Sequence, residues 1–303
     1  MENARPVIGW SSLRLDLKGE PPLGTHANIA MFAMSHHDAT YHRVSGKAST
    51  IRDDYRSVDI ETVDANARKL NIEARAYDDA VAFRYIIPEQ PNLKDLLLVD
   101  EHTEFRFQRD PNLFTLFLPN FTSSYESEFI KSTASSLAST GGGSQPRLAG
   151  LPLLAEIPGV AWIAITEADL KGNSAMYLTN TGSAWGEQTL VSRLAPNIDQ
   201  PGIAVSGTLP YHSAWRIIQI ADTPAKLIES NIVSNLSPES AIADTSWIKP
   251  GKASWDWWSG RPRPRWQALL QHRNHEILRR LRRAIRLRVH ADRRRLVPPR
   301  RHH

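Results

Sequence analysis

The chain carries thirty-two Asp and Glu and eleven His side chains, but few stand in a pattern that acid–base or metal chemistry needs. His36, His37 and Asp38 are adjacent. In an extended segment the two imidazoles would point to opposite faces and could not share an ion, so an ordinary loop is expected here. His42, His102 and His212 are scattered, without ligand spacing. Gly141, Gly142 and Gly143 lack the strand, helix and Lys of a phosphate loop. No nucleophile-elbow pattern surrounds a Ser. The absence of Cys removes disulfides, thiol catalysis and Cys-based zinc sites; it fits cytoplasm and periplasm alike.

The densest chemistry is aromatic. Trp247, Trp255, Trp257 and Trp258 fall in the stretch IADTSWIKPGKASWDWWSG (242–260), out of nine Trp in the chain. The faces of Trp255, Trp257 and Trp258 suit the C–H surface of a sugar ring; filling a strand and a domain interface is the favoured reading. Pro250 and Gly251 divide the stretch. Beyond them, 253–258 is short and aromatic and reads as a buried strand.

The elements before this stretch are strands. Leu70, Ile72, Ala74 and Ala76 alternate with Asn71, Glu73, Arg75 and Tyr77. Thr103, Phe105 and Phe107 alternate with His102, Glu104 and Arg106. Period-two patterns mark strands with one buried face. FTLFL (114–118) is a further apolar run, and 78–79 and 88–91 supply the breaks. Residues 125–130 suit a short helix or an extended piece, and 132–145 reads as a flexible surface loop. Strand patterns resume at 151–154, 160–165, 176–178, 202–206 and 215–220. Strand upon strand, with little helical periodicity, predicts a mainly β fold, an antiparallel β-sandwich.

Charge divides the chain. Residues 261–303 hold fifteen Arg, no Lys and only Glu276 and Asp292, a net +13. Residues 1–260 hold 22 basic and 30 acidic side chains, a net −8. The acidic body gives no reason to expect nucleic acid. No apolar run approaches 18 residues, so no membrane span is expected, and the first ten residues show no signal peptide.

Several segments resemble glycoside hydrolase family 97, bacterial α-glucosidases and α-galactosidases. They are PVIGWSSLRLDL (6–17), FRYIIP (83–88), ITEADL (165–170) with MYL (176–178), AWRIIQIAD (214–222), and DTSWIKPGK (244–252) followed by WDWW (255–258). Ala214 stands where the family usually has Pro. The resemblance covers about 6–260. It implies a galactose-mutarotase-like supersandwich over 1–241 with its first strands missing. It implies a linker and first barrel strand over 242–260, a fragment of a (β/α)8 barrel. A barrel needs about 250 residues, so the catalytic carboxylates are expected outside this chain, and none of its residues takes a catalytic or cofactor-binding role. The family holds an active-site calcium, and Glu167, in ITEADL, is implied as the one ligand that the sandwich supplies; the site would be incomplete here. Carbohydrate, as α-glucosides or α-galactosides, is the implied partner, and the family is periplasmic or secreted.

The tail has two readings. Trp266, Leu270, Ile277, Leu281 and Ile285 fall on one face of a basic amphipathic helix over 266–289, which suits a polyanion. Arg, Pro, His and Leu without Lys also suit GC-rich coding DNA read out of frame. Residues 271–297 can be encoded so that the neighbouring frame reads NTETMKYYVDFAAPSGFEYMLIDAGW, like the family's first barrel helix and second barrel strand. The expectation for 261–303 is therefore an out-of-frame tail, disordered or an isolated helix. A stand-alone carbohydrate-binding sandwich and a polyanion-binding tail are the alternatives.

Overall fold

The computed structural model describes residues 6–139, 147–180, 188–249 and 251, and the pairs Ala253–Ser254 and Arg288–Val289. Its contacts divide the chain into two compact units, Met1–His42 with Thr50–Glu239, and Arg43–Ser49 with Ser240–His303.

The first unit holds two antiparallel sheets. The larger runs β2 (Asn28–His42), β3 (Thr50–Val63), β4 (Asn71–Ala76), β5 (Ala80–Ile87), β17 (Trp215–Ala221), β12 (Ala161–Ala168), β11 (Leu153–Ile157), β7 (Asn112–Thr115), β9 (Ile130–Thr133), with β16 (Tyr211–His212) also on β5. The smaller runs β1 (Leu13–Leu17), β6 (Asp95–Arg106), β14 (Thr189–Leu194), β13 (Met176–Thr179), β10 (Leu148–Ala149), β8 (Phe117–Leu118), with β15 (Val205–Thr208) also on β6. The mainly β, two-sheet sandwich predicted from alternation is the fold observed.

Alternation sets what lies between the sheets. Leu15, Leu98, Phe105 and Phe107 of the smaller sheet share one core with Tyr85, Ile87, Leu113, Leu153, Ile163 and Ile165 of the larger. On the other face of the larger sheet, Ala82, Trp215 and Ile217 pack with Ile232, at the start of a short helix, and with Leu236 beyond its end.

One irregularity decides the chemistry. In β6, Leu96 and Leu98 are buried, Val99 is not, and then Glu101, Thr103 and Phe105 are buried. The pairing with β1 skips Val99: Asp16 stands opposite Asp100, and Leu17 opposite Leu98. One extra residue in a strand shifts every following side chain to the other face. The bulge thus turns Glu101 into the sandwich.

Three local expectations are corrected, and one strand was not foreseen. His36 and His37 lie on β2, not in a loop, because β2 pairs with β3 over its whole length. Residues 125–129 form neither helix nor strand, and Ile130 opens β9. Up to residue 139, the stretch expected as a loop over 132–145 is the end of β9 and a helix α1 (Ala134–Ser139). Thr133 Oγ1 accepts from Ser136 N–H at 3.2 Å, and Ser136 Oγ accepts from Thr133 N–H at 3.0 Å. This reciprocal cap starts the helix, and Ala134 and Leu137 bury into the core. The remainder, 140–145, lies outside the described residues. β14 carried no visible alternation because it is buried on both faces.

The second unit holds a parallel pair, β18 (Ala253–Ser254) with β19 (Arg288–Val289). Arg288 and Val289 are therefore extended, which ladder pairing requires, where a helix was expected. The rest of the expected helix over 266–289, and 255–258 of the expected strand, lie outside the described residues.

Candidate functional site

Glu167 stands one residue from the end of β12, directly opposite Arg216 of β17. Opposed residues in an antiparallel pair share a face, and here it is the inner one. Arg216 donates Nε–H to Glu101 Oε1 at 2.8 Å and Nη2–H to Glu101 Oε2 at 2.6 Å, a bidentate pair. Its Nη1–H reaches Glu167 Oε2 at 2.8 Å. Glu101 belongs to the smaller sheet and Arg216 to the larger, so the guanidinium ties the two layers together.

Further hydrogen bonds surround the pair. Thr103 Oγ1–H donates to Glu101 Oε1 at 2.7 Å, which leaves Thr103 to accept from the Tyr85 hydroxyl at 2.6 Å. Ser192 Oγ accepts from Thr103 N–H and donates to the Glu101 carbonyl. Met176 N–H lies 3.1 and 3.2 Å from the two Glu167 oxygens. A buried ionic network is costly unless every member is bonded, and these members are.

Electrostatics follow from burial. Arg216 and Glu101 are sealed, while the Glu167 side chain keeps 9% exposure. Burial pushes the Glu167 carboxyl above its ordinary range; Arg216 and Met176 N–H pull it back only in part. Burial also opposes the charge on Arg216, but Glu101 beside it outweighs that, and its pKa is raised. Burial pushes the Tyr85 hydroxyl well up, with Glu101 adding to it.

This geometry limits the chemistry. Glycoside hydrolysis places two carboxyl groups on either side of a sugar bond. Between Glu101 and Glu167 stands a guanidinium. Calcium takes six to eight oxygens. Glu167 already accepts from Arg216 and Met176, and among the described residues no three His, Asp or Glu side chains gather to hold a metal. What the described residues offer calcium is one carboxylate, and by themselves they do not fit it.

The other candidates stand apart. His36 Nε2 lies 2.9 Å from Asp54, and His37 lies 3.7 Å from Asp53 and stacks on Tyr55 with ring centroids 5.0 Å apart. Their opposite facing on the strand agrees with the sequence reading. His102 Nε2 is 3.0 Å from Asp16, and His42 Nδ1 is 3.2 Å from Thr50 Oγ1. Burial, then Arg84, lowers the pKa of His212. Trp247 is exposed; Trp255, Trp257, Trp258 and the glycines at 141–143 lie outside the described residues. The sequence reading missed Glu101 and Arg216. The signal was there: Glu101 is two residues before Thr103, in phase with the buried Phe105 and Phe107.

Two antiparallel sheets joined by an enclosed ionic tie define a β-sandwich domain. Residues 1–238 match the family described as glycosyl-hydrolase 97 N-terminal, and the chain belongs to that family. A retaining alpha-galactosidase of Bacteroides thetaiotaomicron is 26% identical over 285 residues, covering 85% of this chain and 40% of that protein. A probable retaining alpha-galactosidase of Streptomyces bingchenggensis is 29% identical over 205 residues, 65% of this chain and 27% of that one. A glycoside hydrolase family 97 enzyme from Pseudoalteromonas sp. strain K8, solved in complex with acarbose, superposes with a TM-score of 0.72 at 24% identity, over 84% of this chain and 36% of that one. The chain thus spans less than half the length of these relatives.

Proposed function

We propose that the sandwich serves as the N-terminal domain of a longer α-glycosidase acting on α-galactosides or α-glucosides. In that enzyme Glu167 would supply one oxygen to a calcium ion whose other ligands come from another part of the protein. The observation that carries this reading is the placement of Glu167. It sits at a strand end, nearly buried, with its carboxylate fixed by Arg216 and Met176 N–H. Fixed orientation is what a ligand presented across a domain boundary needs. A calcium bound there would supply positive charge near a sugar oxygen, and the sandwich would hold the carboxylate in place.

A domain exchange tests it. Residues 1–241 replace the matching segment of the Bacteroides thetaiotaomicron enzyme, and hydrolysis of nitrophenyl α-galactoside and α-glucoside is followed together with calcium-induced thermal stabilisation. The expected result is an active chimera in which Glu167→Gln weakens calcium affinity by at least about tenfold. An active chimera whose calcium affinity ignores Glu167→Gln would sink the ligand role. An inactive but folded chimera would sink the domain role.

A further inference from the structure

The larger sheet ends at β2, and that edge carries no strand partner among the described residues. β2 is fifteen residues long, and all but Tyr41 are exposed. Phe32 and Met34 stay 64% and 74% exposed, and Ile29 and Met31 are exposed on the same half. Natural edges are blunted by Lys, Pro, inward charges or cover. Residues 28–35, NIAMFAMS, contain no charge and no Pro. A bulge falls between Ile29 and Met31, but Met31 to Ser35 pairs regularly with β3.

The inner face behind this edge is also apolar and open. Phe32 is opposed to Ile60, and Ile60 to Ile72; Met34 is opposed to Val58, and Val58 to Ala74. Ile60, Ile72, Phe83 and Ile218 line a cleft of about 690 Å³ together with Trp10, which is 91% exposed.

We propose that β2 is a self-association edge whose partner is β2 of a second copy of this chain, paired antiparallel about a two-fold axis at Ala33. The edge is self-complementary. A two-fold edge must pair with itself. An axis at Ala33 sets Phe32 opposite Met34 of the other copy twice, on the open inner face. It sets Met31 opposite Ser35 on the other face. The charged half is not brought against itself: Asp38 falls opposite Asn28. Asp38 is already bonded twice to Arg52, at 2.8 and 2.7 Å, within its own hairpin. An axis shifted toward residue 37 would instead oppose His36 to Asp38 and leave Phe32 and Met34 unpaired with apolar partners. Pairing at Ala33 therefore satisfies the free backbone and covers the apolar half without opposing like charges. This inference does not depend on the glycosidase reading.

The full chain contains no Cys, so one introduced thiol reports the register. Opposed Cα atoms in an antiparallel pair are about 4.5 to 5.5 Å apart, within disulfide range. Ala33→Cys is expected to give a covalent dimer on mild oxidation. Thr40→Cys is expected to give none, because its two copies would lie about 45 Å apart at the rise of a β-strand. Light scattering after gel filtration should show two chains for the unmodified protein. Phe32→Lys with Met34→Lys, at exposed positions, should make it monomeric, weakening association on the order of a hundredfold, with an unchanged circular dichroism spectrum. A monomeric unmodified chain overturns the proposal. So does a dimer that survives the two Lys substitutions, or equal cross-linking at positions 33 and 40. If the double Lys variant does not fold, the two Cys variants alone decide.

Discussion

One cross-strand row of the larger sheet holds both a closed and an open end. It reads Glu167, Arg216, Phe83, Ala74, Val58, Met34, each residue directly opposed to the next. At the Glu167 end the sheets are joined through Arg216 and Glu101. At the Met34 end the same face is apolar and exposed. The ionic end is not there because ion pairs are strong. A buried ion pair is often no more stabilising than apolar packing of the same shape. What it adds is geometry: a planar, bidentate fork fixes one distance between two layers and fixes the carboxylate beyond it. The apolar end adds no such constraint. It offers area and a free backbone edge, which suit a partner rather than a fixed group.

Substitutions can break this contrast, beginning with the largest. Arg216→Met should cost about 3–5 kcal/mol in urea unfolding, because it leaves Glu101 buried without its counter-charge. Glu101→Gln keeps the shape and loses the charge; a cost of about 2–3 kcal/mol is expected. A smaller effect comes from a pair that stays within one turn. Asp64 accepts from Arg68 side chain at 2.9 Å and from the N–H groups of Asn66 and Arg68 at 2.9 Å each. Burial raises its pKa, but these bonds outweigh burial, and the net shift is downward. A carboxyl lowered in the folded state stabilises above its unfolded pKa, and that stability is lost as pH falls through the folded value. Asp64→Asn should therefore flatten the acid limb of stability against pH, read by thermal melts from neutral to acid. Glu167→Gln should cost only about 1 kcal/mol, since the amide oxygen can still accept from Met176 N–H or Arg216. At the open end, Trp10→Ala should stay within about 0.5 kcal/mol. A cost for Trp10 equal to that of Arg216 would erase the contrast.

Much of the fold was legible because period-two alternation maps directly onto a sheet with one buried face. Thr103, Phe105 and Phe107 are buried as that pattern requires. Ile72 and Ala74 have the same pattern but are only half-buried, because the smaller sheet does not cover them; alternation gives the face, not what lies over it. Three features were illegible for physical reasons. β14 is buried on both sides, so its sequence does not alternate. The α1 helix is six residues long and rests on a Thr–Ser cap, too short for helical periodicity. The bulge at Val99 reverses the phase within one strand, so a single pattern over 95–106 could not place both Leu98 and Glu101 inward. At the site, ITEADL drew attention to Glu167, but Arg216 and, behind it, Glu101 are far away in sequence; only the phase of Glu101 with Phe105 and Phe107 pointed to one of them.

The most direct test of the ionic tie is a double-mutant cycle of Glu101→Gln and Arg216→Met, measured by urea unfolding of the full chain. If Arg216 joins the sheets through Glu101, the two changes should be coupled by about 2–3 kcal/mol. If they add within about 0.5 kcal/mol, the pair carries no shared energy, and the sheets are held by the apolar core alone.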